Sequence, residues 1–172
     1  MEMNFCRRCG TRLTNVQNHI FRCENDHTIF ANANPTVGIF FVTSDNKVIL
    51  SERGIEPHKG MLDSFGGFVD SNETLEQAAI RELKEEANLD TADYENLKYL
   101  CSAYGNYPYQ GDNLPVLSTF YWTRLLANKE LTPSDDVAAV HYIHINEVDS
   151  KLLHDDDVRH GFSKLQELFS EN

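Results

Sequence analysis

The sequence predicts an α+β fold: a mixed sheet carrying two main helices, preceded by a small cysteine-bearing segment. Three observations predict it. Short β-branched and aromatic runs recur between turn formers, as in Thr36–Val42 and Val137–Ile145. Two longer segments, Thr74–Ala87 and Asp155–Phe169, carry apolar residues at helical spacing. The first thirty residues are polar and hold three of the four cysteines. Strands mixed with two helices in one chain of ordinary domain length fit an α+β arrangement or an α/β sandwich.

In chain order, Asn32-Ala33-Asn34-Pro35 is a run of turn formers and reads as a boundary between residues 1–33 and 34–172. Thr36–Val42 reads as a buried strand, Ser44-Asp45-Asn46 as a turn, and Lys47–Ser51 as the second strand of a hairpin. Gly54 to Gly67 is loop-like, with Pro57, Gly60 and the Gly66-Gly67 pair. Thr74, with Gln77 three residues on, forms a capping-box pattern. In the helix that follows, Ala79, Ile80, Leu83 and Ala87 fall on one side. Tyr94–Ala103 and Pro115–Leu126 read as strands separated by an aromatic loop, and Val137–Ile145 as a further strand. In the last helix Val158, Phe162, Leu165 and Phe169 are in phase.

Composition narrows the function classes. The chain has 172 residues, 41% of them hydrophobic, enough for one real core. The longest apolar run, Val37 to Val42, is too short to span a bilayer. The start, MEMNFCRRCG, lacks the apolar stretch of a signal peptide, so a cytoplasmic address is expected. A formal net charge of -12 disfavours a broad nucleic-acid or membrane footprint. Such a chain binds an anionic ligand only where local cations offset its field, and divalent metal is the simplest source of that charge. A homodimer is compatible with the sequence, which does not name the oligomer.

Glu82, Glu85 and Glu86 stand at i, i+3 and i+4 of the first helix, where like charges repel by a few tenths of a kcal/mol per pair. One reading is a solvated acidic face with Arg81 and Lys84 nearby. The other is a seat for hard cations such as Mg²⁺, which prefer oxygen ligands and would offset the repulsion. The surroundings favour the second. Gly66-Gly67 lets backbone approach a metal or phosphate closely. From Gly67 the chain runs five residues to Glu73, seven more to Arg81, then Glu82-Leu83-Lys84-Glu85-Glu86-Ala87-Asn88-Leu89.

This segment resembles the Nudix box, G-x5-E-x7-R-E-U-x-E-E-x-G-U with U apolar, at eight of nine specified positions. The exception is Asn88, where the family has glycine; asparagine is the next-best residue for the left-handed turn expected there. The resemblance implies an α/β/α sandwich around a mixed sheet, and hydrolysis of nucleoside diphosphates linked to another group. It implies that Glu82, Glu85 and Glu86, with the Gly67 carbonyl, hold Mg²⁺ or Mn²⁺, and that Glu73 and Arg81 pair to brace loop against helix. Ser64-Phe65 replaces the usual Leu-Pro, a change expected to soften the loop. A further acidic ligand or base is common before the strand matching Val140–Ile143. Ala138 and Ala139 stand there, so the nearest carboxylates are Asp135 and Asp136.

Cys6-x2-Cys9 and Cys23-x3-His27 form two ligand pairs, an arrangement that suits tetrahedral Zn²⁺. His19 is the rival fourth ligand. The segment resembles the zinc ribbon that precedes the Nudix domain in NADH pyrophosphatases, with His27 where a fourth cysteine usually stands. Beyond the box, Ser102, Tyr107 and Pro108 keep part of the signature SQPWPFPxS of those enzymes. Tyr104, Tyr107 and Tyr109 are candidates to stack on a base or nicotinamide, and the rival reading is a loop packed by its own aromatics. Arg53 and Lys59 are candidate phosphate contacts. The remaining histidines, His58, His141, His144, His154 and His160, read as ordinary surface or half-buried residues. The expected ligand is a small nucleotide, NADH or ADP-ribose. The alternatives are a nucleotide-binding regulator without turnover, and a nucleic-acid-binding zinc ribbon supported by Arg7, Arg8 and Arg12 but opposed by the net charge.

Overall fold

The computed structural model describes residues 4–126, 129 and 131–170, so the outermost ends of both expected domains lie outside the described residues. The cysteine-bearing segment forms a three-stranded antiparallel sheet of its own, from β1 (Leu13–Gln17), β2 (Ile20–Cys23) and β3 (Thr28–Phe30). Among the described residues its interior is Cys6, Cys23 and Ile29, flanked by Leu13 and Phe21.

The remainder is built from β4 (Asn34–Val42), β5 (Lys47–Arg53), β6 (Leu62–Asp63), α1 (Leu75–Ala87), β7 (Lys98–Tyr109), β8 (Asp112–Thr123), β9 (Val137–His144) and α2 (Asp156–Ser170). β4 pairs parallel with β8, while β4–β5, β5–β9 and β7–β8 are antiparallel, so the sheet is mixed. β4 shows why two layers of helix form. Side chains alternate across a strand. Val37, Ile39 and Phe41 join the core under α1, with Ala79 and Leu83. Phe40 and Val42 join the core under α2, with Phe162 and Leu165. One strand feeds both cores, and the expected α/β/α sandwich results.

Three details depart from expectation, and two of them shape the site. The aromatic loop is strand: Tyr104 pairs with Leu117, Tyr107 with Leu114 and Tyr109 with Asp112. The turn shrinks to Gln110 and Gly111, both at positive φ, as a tight two-residue hairpin requires. Next, β4 and β5 pair only at Phe41–Ile49 and Val42–Val48. Beyond those pairs β5 takes β6 as its partner, while Ile39 bridges Phe65 and Thr36 bridges Phe68. Residues 62–68 thus wedge the sheet open and carry Gly66-Gly67 toward α1. Phe65 is fully buried and exchanges both backbone hydrogen bonds with Ile39, at 2.6 and 3.1 Å, so this stretch is pinned rather than softened. Finally, α1 is rotated from its expected face. Ala78 is buried and Ile80 is 39% exposed, because the helix turns the row Ala78–Glu82–Glu86 inward beside Ala79–Leu83–Ala87.

Candidate functional site

α1 starts and stops on local chemistry. The Thr74 hydroxyl accepts from the Gln77 backbone N–H, and the Gln77 side chain accepts in return from the Thr74 N–H. Asn88 ends the helix at φ 52°, ψ 38°, the left-handed turn its amide tolerates. Rotation of the helix then divides the glutamates. Glu82 and Glu86 point inward, and Glu85, with 48% of its side chain exposed, stands at the rim. All three line one cleft of about 320 Å³.

The neighbours hold them in place. Arg81 contacts Glu73 at 2.7 Å, Glu82 at 2.7 Å and Glu85 at 3.0 Å, and donates to the Phe68 carbonyl. Glu73 also accepts from the Asp70 N–H, so the pair braces loop against helix as expected. The Gly66 N–H donates to Glu86 at 2.8 Å. Gly66, at φ +143°, needs to be glycine, and at Gly67 any side chain would push the Glu82 carboxylate aside. A Cβ at residue 66 would lie 2.1 Å from the Val37 carbonyl oxygen, and one at 67 would lie 2.6 Å from Glu82 Oε1. The Gly67 carbonyl accepts from the Val37 N–H, leaving its second lone pair for a ligand.

The cleft is overloaded with negative charge. Burial pushes the Glu86 carboxyl well above the usual range, reinforced by the charges of Asp63, Glu82 and Asp136 despite the Gly66 N–H. Burial raises Glu82 as well, against the pull of Arg81. Asp63, Asp135, Asp136, Asp155 and Asp157 line the same cleft, so the fourth carboxylate has more candidates than the two nearest in sequence. Arg53 and His154 are the cations among the described lining residues. Charge of this sign and density rejects a phosphate unless divalent ions are bound first. The carboxylate oxygens suit Mg²⁺ or Mn²⁺.

Arg53 sits in the cleft as expected. It pairs with Asp63 at 2.9 Å and donates to the Pro57 carbonyl and to the Tyr107 hydroxyl. Tyr107 lines the cleft, its ring edge-to-face with Phe68 at 5.6 Å. Tyr104 and Tyr109 do not line it: strand alternation turns Tyr104 to the other face, and Tyr109 stands beside the hairpin turn. Lys59 is exposed and lines no part of the cleft.

Cys6, Cys9, Cys23 and His27 converge as the spacing predicts, with His27 rather than His19 in the fourth place. Donors arranged tetrahedrally at Zn–S and Zn–N lengths lie roughly 3.8 Å apart for two sulfurs and roughly 3.6 Å for sulfur and nitrogen. Cys9 Sγ–Cys23 Sγ is 3.7 Å and Cys6 Sγ–His27 Nδ1 is 3.6 Å. Hydrogen bonds from the Thr11 side chain and backbone lower the Cys9 thiol to about 5, the thiolate range a metal ligand needs.

A model of the NUDIX domain matches residues 32–164. The chain belongs to this family. Among relatives, the ADP-ribose pyrophosphatase of Methanocaldococcus jannaschii is 31% identical over 105 residues, covering 61% of this chain and 59% of the relative. The NAD-capped RNA hydrolase NudC of Vibrio atlanticus is 36% identical over 105 residues, covering 58% of this chain and 36% of the relative. The match thus spans less than two thirds of either relative. In structure, a NUDIX hydrolase from Nitrosomonas europaea covers 99% of this chain and 94% of its own, with a TM-score of 0.70 at 22% identity. The NUDIX domain of Shewanella oneidensis NrtR, complexed with ADP ribose, covers 81% of this chain and 90% of its own at a TM-score of 0.65 and 20% identity.

Two residues of this Nudix domain's cleft, His154 and Asp157, were not expected from the sequence. His154 is 8% exposed and lies between two carboxylates, Asp63 at 2.8 Å from Nε2 and Asp155 at 3.0 Å from Nδ1. Burial alone would lower its pKa, but the Asp63 charge and the Asp155 carboxylate raise it to about 9. The signal was weak: a histidine in the run His154-Asp155-Asp156-Asp157 looks solvated, and Asp63 is distant in sequence. Asp157 was missed for the same reason, being buried on α2 with the Ser118 hydroxyl donating to it.

Proposed function

We propose that this Nudix domain is a divalent-metal-dependent hydrolase of the diphosphate bond in nucleoside diphosphate derivatives, with NADH or ADP-ribose as leading substrates and AMP as a product. The observation that carries the reading is the inward row of Glu82 and Glu86 with Glu85 at its rim, facing a cleft whose carboxylates far outweigh its cations. The family supports it, as do relatives named for ADP-ribose and NAD-capped substrates. Glu82, Glu85, Glu86 and the free lone pair of the Gly67 carbonyl would hold Mg²⁺ or Mn²⁺. Such ions, when bound, supply charge to the diphosphate oxygens and make water a better nucleophile.

The chain's own residues supply the rest. Glu73 and Arg81 fix the loop against the helix, so the glutamates keep their spacing. The Gly66 N–H fixes the orientation of Glu86. Arg53, held by Asp63, offers a fixed charge to a phosphate, and Tyr107, braced edge-on by Phe68, offers an aromatic face to a ring. Cys6, Cys9, Cys23 and His27 would hold a structural Zn²⁺ in a ribbon domain of residues 1–33, ahead of the hydrolase domain of residues 34–172.

A panel of nucleoside diphosphate derivatives with Mg²⁺ and with Mn²⁺, products separated by chromatography, tests the reading. Release of AMP from NADH or ADP-ribose is the expected result. Binding of either without turnover would make the chain a nucleotide-responsive regulator. Turnover confined to nucleoside triphosphates would overturn the substrate class.

A further inference from the structure

Apart from the glutamate row and the cysteine cluster, His58, His154 and Asp155 bring one nitrogen or oxygen atom each within 4.8 Å of one another. We propose that these three residues bind a divalent ion of the Zn²⁺ class at the wall of the cleft. None of the three belongs to the glutamate row, although His154 and Asp155 line the same cleft, so the count of bound Zn²⁺ and not turnover is what tests the proposal.

Four observations support it. Atoms around a tetrahedral ion at ordinary Zn–N and Zn–O lengths lie roughly 3.3 Å apart; His58 Nε2 is 3.4 Å from one Asp155 oxygen, and His154 Nδ1 is 3.0 Å from the other. Both nitrogens are sealed from solvent, yet neither makes a hydrogen bond. Buried nitrogens in native proteins are nearly always satisfied. Nδ1 of His154 stands 3.0 Å from an Asp155 oxygen without an aligned hydrogen bond, a spacing that two ligands of a shared ion can have.

The far side of His154 carries the third observation. Its Nε2 lies 2.8 Å from Asp63, which Arg53 holds at 2.9 Å. A histidine that ligates a metal usually gives its other ring nitrogen to a carboxylate, which fixes the tautomer and the ring plane. The His154 backbone N–H is itself tied to the Leu62 carbonyl at 3.1 Å. The fourth observation is chemical. Two imidazoles and one carboxylate suit Zn²⁺ and its transition-metal neighbours, whereas Mg²⁺ prefers oxygen. Three protein donors also leave a position for water or an anionic oxygen.

The test counts Zn²⁺ on the full chain by equilibrium dialysis with elemental analysis, in excess Mg²⁺ to fill the oxygen sites. His58→Asn and Asp155→Asn should each bind one Zn²⁺ fewer than the unaltered chain, whatever number the ribbon holds. Asp63→Asn should keep the count but weaken that ion by about 10–100-fold, the usual cost of losing a carboxylate behind a ligating histidine. Imidazole nitrogen NMR supplies a second readout: Zn²⁺ should shift Nδ1 of His154 and leave Nε2 nearly unmoved. Equal counts in the unaltered chain and in a folded His58→Asn variant would overturn the proposal. So would loss of the same ion in Glu86→Gln, which would assign it to the glutamates, or an unmoved His154 resonance, which would leave a proton as the sole occupant.

Discussion

The cysteine cluster and the glutamate row both press metal-ligating atoms together, but in opposite mechanical settings. The cluster sits on a sheet whose buried interior is Cys6, Cys23 and Ile29. Two of those three residues are themselves ligand candidates, so almost nothing but the ligands holds that sheet. The row sits on α1, backed by Val37, Ile39, Phe41, Phe65 and Leu83. There the fold comes first and buries the carboxylates beside one another, and burial, with neighbouring negative charge behind it, raises the pKa values of Glu82 and Glu86. An ion at the cluster would hold structure. An ion at the row would relieve repulsion that the structure has already accepted.

The largest effect that separates the two settings is metal removal. If the cysteine cluster holds Zn²⁺ as proposed, stripping it should melt β1–β3 and leave the sandwich folded, because structural zinc is worth about 10–16 kcal/mol in small peptides that have no core of their own. Amide NMR of the chelated protein checks it. Persistence of the β1–β3 signals without metal would erase the contrast.

Next in size is Glu86→Gln. Glutamine keeps the shape and the acceptor for the Gly66 N–H but removes the charge. Hydrolysis should fall about 10²–10³-fold, the scale of losing one preorganised electrostatic partner. The melting temperature should hold or rise, since a buried, repelled carboxylate is gone. Steady-state rates with a thermal melt check both halves. A variant that stays active would remove Glu86 from the groups that act in hydrolysis, and one that unfolds would make it structural, like the cluster.

How much of this was legible depended on how local the cause was. The capping box at Thr74, the left-handed Asn88 and the Cys/His spacing act within a few residues, and the structure realises all three. The glutamate pattern was legible too, but not its rotation, because packing against β4 turns Ala78 inward rather than Ile80. Gly105 and Pro108 disguised Tyr104–Tyr109 as a loop, since neither favours a strand, yet the long pairing with β8 overrides them. The wedge at residues 62–68 and the seating of His154 rest on contacts between distant segments, which no local pattern announces.

Gly67→Ala probes the row more gently. Its Cβ would lie 2.6 Å from Glu82 Oε1 and 3.0 Å from its Cδ, so the carboxylate, not the backbone, must move. Displacement of a metal-holding group by about 1 Å can cost on the order of 10²-fold in rate. Stability should change by no more than about 1–2 kcal/mol, because a side-chain tip gives way more easily than a core. Paired kcat and urea-unfolding measurements check it. A large stability loss with little loss of rate would mean that Gly67 serves the fold and that Glu82 is not placed by it.

The smallest effect concerns the far wall of the cleft. Of the three candidate tyrosines, only Tyr107 lines it, with its ring against Phe68 and its hydroxyl near Arg53. If that ring stacks on nicotinamide, Tyr107→Ala should lower kcat/KM for NADH by about 1–2 kcal/mol, while ADP-ribose, which lacks the second ring, should suffer much less. Tyr107→Phe separates the ring from its hydroxyl: it should keep the NADH preference and disturb only the hold on Arg53. Tyr104→Ala and Tyr109→Ala should change neither substrate appreciably, since both side chains stand away from the cleft. An equal loss on NADH and ADP-ribose would move Tyr107 to the adenine that both share. A loss confined to Tyr104→Ala would shift substrate recognition to the opposite face of β7, beside Ala31 and Ala33, and would make the ribbon part of the binding site rather than only a metal-held appendage.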